Sequence, residues 1–75
     1  MKYRWINEDI TLNFPLPTVL KNSIQEAEEA DINDCIGEYN AIVDAIDILC
    51  KEYVAEHIFT HEQWDLVVQK YPYQG

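Results

Sequence analysis

Residues 32–56 read INDCIGEYNAIVDAIDILCKEYVAE, and this stretch decides the fold. Within it Ile32, Ile36, Tyr39, Val43, Ile46, Cys50 and Tyr53 are spaced alternately by four and three residues, with Ile42 and Leu49 widening the stripe. That spacing puts them on one face of a helix. We read a long core helix over 33–56, with Asp31 or Asn33 as its N-cap.

On the N-terminal side, the pattern over 17–30 is also helical. Pro17 suits a first helical position, and Leu16, Val19, Leu20, Ile24, Ala27 and Ala30 share a face opposite Lys21, Asn22, Gln25, Glu26, Glu28 and Glu29. Its last turns carry Glu26, Glu28 and Glu29 where the helix dipole is already negative, and the N-terminus of the next helix is expected to take up part of that charge. The connection is short, so the first two helices are predicted to be antiparallel.

On the C-terminal side, Thr60 and Gln63 match a capping box, Phe59 and Trp64 stand at the staple positions, and Trp64, Val67, Val68 and Tyr71 form one apolar face before Pro72. A third helix is expected over 61–71, and Tyr71 to Gly75 read as a frayed tail. Residues 1–16 alternate instead: Tyr3 and Trp5 with Lys2 and Arg4, then Ile10, Leu12 and Phe14 with Thr11 and Asn13, around the turn-prone Asn7, Glu8 and Asp9. This predicts a short hairpin or an extended arm lying against the helices. The fold class is thus mainly α, a small three-helix domain over 1–75.

Composition agrees and narrows the function. With 48% hydrophobic and 25% charged residues in 75, the chain is neither disordered by composition nor built for a bilayer. No apolar run approaches the roughly 18 residues of a membrane span. Lys2 and Arg4 are not followed by a leader-like apolar segment, and Cys35 and Cys50 are too few for a disulfide scaffold. The expected compartment is the cytoplasm. Fourteen Asp and Glu against five Lys and Arg give a net charge of −9, the wrong sign for gripping phosphates. An electrostatic partner must therefore be basic.

The residues that could carry chemistry read better as structure. His57 and His61 are four apart, but a helix start at Thr60 separates them, and Asp65 stands where a HExxH zinc motif needs its second histidine. Asp31, Asn33 and Asp34 open like a calcium loop whose sixth and twelfth positions would be Ile36 and Ile42, not Gly and Glu. Cys35 and Cys50 lie about 22 Å apart along one helix, too far to bridge. Pairs such as Asp34 and Glu38 have no pocket to split their pKa values, and Gly37 and Gly75 make no phosphate loop. We expect no metal, no cofactor and no catalysis.

One feature of the core helix remains unassigned. With Asp34 at zero, Gly37, Ala41, Ala45 and Ile48 fall between about 300° and 20°, a second stripe bordered by Asp44, Asp34, Glu38 and Glu52. Either the N-terminal segment or the third helix covers it, or another protein does. No Lys or Arg occurs between Asn22 and Cys50, so that half of the chain is uniformly acidic. Asp34, Glu38, Ala41, Asp44, Ala45, Ile48 and Glu52 are the candidate partner-binding residues of a small inhibitor or adaptor that docks on a basic surface, such as one that itself binds nucleic acid. Anti-defence and immunity proteins share this size and charge, an analogy of physical type and not of motif. Duplex mimicry fits less well, since the core helix carries one charge per roughly 6 Å against one per about 1.7 Å of DNA. The alternative is a structural or regulatory helical homodimer whose acidity serves solubility, so the expected state is monomer or dimer.

Overall fold

The computed structural model describes residues 2–75; Met1, the first residue of the predicted arm, lies outside them. The helices are α1, Thr18–Ile32, α2, Ile36–Ala55, and α3, His61–Lys70. Helix α2 buries Tyr39, Val43, Ile46, Cys50 and Tyr53, five of the seven residues of the four-three stripe. Ile32 and Ile36 are exposed. They belong to different helices, because α1 runs two residues beyond the predicted end and α2 starts three residues later than expected.

Backbone geometry at the α1–α2 turn explains that shift. The Cys35 N–H donates to the Ala30 carbonyl at 2.9 Å and the Asp34 N–H to the Asp31 carbonyl at 3.1 Å, with Asp34 left-handed at φ 58°. This is a Schellman closure with Asp where glycine usually stands. The N-cap of α2 is consequently Cys35, without a side-chain cap, and not Asp31 or Asn33. Helix α2 ends the same way: Ile58 N–H to Tyr53 O at 2.8 Å, His57 N–H to Val54 O at 3.1 Å, and His57 at φ 64°. Two short turns thus fold three helices back on one another.

Helices α1 and α2 pack antiparallel through Leu20, Ile24, Ala27 and Ala30 of α1, while Val19 at the open end of that face is exposed. Helix α3 contributes Val67 and a partly buried Trp64, with Tyr71 buried just beyond it. Its capping box is formed in full, the Gln63 N–H donating to Thr60 Oγ1 at 3.1 Å and the Thr60 N–H to Gln63 Oε1 at 2.8 Å.

The first sixteen residues form an arm and not a hairpin: among the described residues there is no strand. The Asn7–Asp9 turn does form, closed by Ile10 N–H to Asn7 O at 3.4 Å and Asp9 N–H to Asn7 Oδ1 at 3.0 Å. What would have been strand pairing is replaced by contacts to the helices. Asp31, fully buried, accepts the N–H of Arg4 on Oδ1 at 2.6 Å and those of Trp5 and Ile6 on Oδ2 at 2.8 and 3.1 Å. Farther along, the Asn7 N–H donates to the Lys70 carbonyl at 2.9 Å, and Lys70 Nζ donates to the carbonyls of Asn7 and Ile10. Ile6 is buried between these anchors, Trp5 lies 5.0 Å from the Tyr39 ring, and Phe14 meets Phe59 edge-on at 5.2 Å. The arm therefore completes the core.

The tail is docked as well. Tyr39 donates its hydroxyl proton to the Pro72 carbonyl at 3.0 Å, and the Asn40 amide both donates to Gln74 O at 2.8 Å and accepts from Gln74 N–H at 2.9 Å. The expected fraying of residues 71–75 is overturned by these bonds.

Candidate functional site

The predicted docking residues lie on α2 where neither the arm nor α3 reaches. Glu38, Ala41, Asp44, Ala45, Ile48 and Glu52 are all exposed, Ile48 at 59%. From Glu38 to Glu52 the face is about 21 Å long at 1.5 Å per residue. Asp34 stands apart: it sits in the turn before α2, and its carboxylate lies 3.5 Å from Arg4 Nε, the one ion pair among the described residues. Both partners are solvated, so this pair adds little stability.

Gly37 shares the stripe. A side chain placed there would meet no atom within 4 Å, so the fold does not require glycine at this position. Gly37 lies in the first turn of α2, which begins at Ile36, and is solvent-exposed.

Acidity at the end of α1 is handled locally. Arg4 Nη1 donates to the carbonyls of Asp31 and Ile32 at 3.0 Å each, placing a cation at the negative end of the helix. The Tyr3 hydroxyl donates to Glu28 Oε2 at 2.6 Å, and that bond, with burial second, pushes its pKa up to about 12. The carboxylates of the α2 face receive no comparable partner, and Glu38, Asp44 and Glu52 make no hydrogen bond through their side chains among the described residues.

Beside Asp44 the surface dips into a groove of about 220 Å³. The buried Val43, Ile46, Val67 and Tyr71 line it from below, and the exposed Val68, Tyr73, Asp44 and Asp47 line its edges. Asp47 Oδ1 accepts from Trp64 Nε1 at 2.9 Å. This groove was not legible in the sequence, because it needs the docked tail as one wall. A local signal existed only in part, as two aspartates one turn apart beside the core stripe.

The other reactive residues are dispersed. His57 closes α2 while His61 opens α3, Cys35 is half-buried at the N-cap of α2, and burial pushes the Cys50 thiol up to about 12. Among the described residues no three His, Cys, Asp or Glu are grouped to hold a metal ion, and no helix is long and apolar enough to cross a membrane. No protein family, curated protein or solved structure matches this chain.

Proposed function

We propose that this chain is a non-catalytic docking protein, an inhibitor or adaptor of the anti-defence or immunity type. It seats the outer face of α2 on a basic surface of a partner protein, one that itself handles nucleic acid being a natural target, and works in the cytoplasm, where Cys35 and Cys50 stay reduced. One observation carries the reading: the helix that builds the core also presents an uncovered stripe of Gly37, Ala41, Ala45 and Ile48 rimmed by Glu38, Asp44 and Glu52. Small residues let a second surface approach closely, an aliphatic side chain supplies the anchor, and carboxylates form the polar rim. The net charge of −9 steers a basic partner toward this face and raises the association rate at low salt.

Capture from a bacterial lysate at low and high salt, with the wild type and Ile48→Asp side by side, tests it. The expected result is retention of a discrete basic protein that weakens with salt and is lost in Ile48→Asp. The thermal transition of the variant should stay within about 0.5 kcal/mol of the wild type, since the side chain is solvated. Equal retention by both proteins would remove Ile48 from the contact.

A further inference from the structure

We infer that the groove between α2, α3 and the tail receives an arginine side chain of the basic partner, an inference that rests on the docking function proposed above. At about 220 Å³ the groove is smaller than the roughly 300–1,000 Å³ typical of small-molecule sites, and it has the scale of one long side chain. Its buried lining of Val43, Ile46, Val67 and Tyr71 is aliphatic and aromatic, whereas its α2 edge carries the carboxylates of Asp44 and Asp47. That combination fits a residue with an apolar stem and a cationic head, the stem lying on the buried lining while the head stays at the rim.

Arginine fits better than lysine. Its planar, weakly hydrated guanidinium can bridge two carboxylates one helical turn apart and stack on the 56% exposed Tyr73 ring, whereas an ammonium holds its water tightly. Asp47 engages Trp64 Nε1 through Oδ1 alone, so Oδ2 remains to accept a second donor. Asp44 has no hydrogen-bond or ion-pair partner among the described residues, and Lys51, one turn beyond Asp47, forms no ion pair with it. Two like charges at this spacing repel each other, and a guanidinium between them would turn that repulsion into attraction. Asp44 lines the groove and lies one helical turn from Ile48, so one partner surface can engage both.

The test is a titration of the full 75-residue chain, followed by methyl and amide NMR, with the peptide Ac-Gly-Arg-Gly-NH2 and its citrulline and lysine counterparts as probes. The expected result is saturable shifts of the Val43 and Val68 methyls and the Tyr73 ring. Affinity should be at least tenfold weaker for the citrulline peptide, and at least tenfold weaker for the arginine peptide on the Asp44→Asn/Asp47→Asn double variant, whose melt stays unchanged. Asparagine keeps an oxygen to accept from Trp64. Equal shifts with citrulline or lysine, shifts centred on Ile48, or non-saturating shifts spread over all acidic turns would each overturn the assignment. Lysate capture separates the two levels. Loss of retention by the wild type itself defeats the docking function, whereas retention undiminished in the double variant defeats only the arginine groove.

Discussion

Asp31 is the residue on which the arm depends. Its two oxygens accept three backbone N–H groups, and its own carbonyl accepts from Arg4, so a carboxylate with no solvent contact is fully partnered. Asparagine is nearly the same shape but cannot serve. Its single oxygen can face either Arg4 or the Trp5–Ile6 pair, and its NH2 then points at donors. We expect Asp31→Asn to lower stability by about 2–4 kcal/mol in urea melts, with a change in Trp5 fluorescence as its contact with Tyr39 loosens. Unchanged midpoint and slope would show that the arm is held by its apolar contacts alone. Thr60→Ala is expected to cost about 1 kcal/mol, because the Gln63 N–H loses its acceptor. The two residues also mark what a sequence can reveal. Thr60 bonds a residue three positions away and announces itself as a pattern. The donors to Asp31 lie 25 to 27 positions away, in a segment with no helical period, so nothing near Asp31 signals its role.

Among the elements, both helix ends closed by left-handed residues offer a direct test. His57 sits at φ 64° without a side-chain hydrogen bond among the described residues, in a region that costs a residue bearing a Cβ about 1–2 kcal/mol. His57→Gly should therefore raise stability, by about 1 kcal/mol once the extra freedom of glycine in the unfolded chain is counted. Asp34→Gly should give less, because Asp tolerates this conformation better. A lower thermal midpoint for His57→Gly would mean that the imidazole makes a contact that outweighs the strain. Helix α2 shows the same division between local and distant information. Its period identified the core stripe through Tyr39, Val43, Ile46, Cys50 and Tyr53 and revealed a second stripe besides. Which stripe other parts of the chain cover depends on the path of the arm, and that path is set by Asp31 and Lys70, not by alternation within residues 1–16.

At the scale of the whole molecule, the radius of gyration is 11.7 Å, close to the roughly 11 Å expected for a compact chain of this length. The arm and tail close over a core that contains several weak acids. Burial raises Tyr39 and Tyr71 well above their ordinary value and Cys50 to about 12, it also raises Tyr53, and the bond to Glu28 lifts Tyr3 to about 12. The unfolded chain would release these protons first, from 9.0 for the thiol and 10.0 for the phenols. Above those values the unfolded state holds fewer protons than the folded one, so stability must fall as pH rises, by about 1.4 kcal/mol per pH unit for each proton still held only by the fold. The contribution is therefore complete below about pH 9 and is lost progressively toward pH 12. Circular dichroism melts at pH 8 and pH 10.5 should show a large drop in midpoint. A chain of net charge −9 also repels itself, and that effect too grows with pH, but salt distinguishes the causes. At 0.5 M NaCl the Debye length is about 4 Å, which screens the exposed carboxylates and barely touches ionisation inside the core. A drop that persists in salt assigns the loss to the buried tyrosines and Cys50, whereas one that disappears assigns it to the acidic surface.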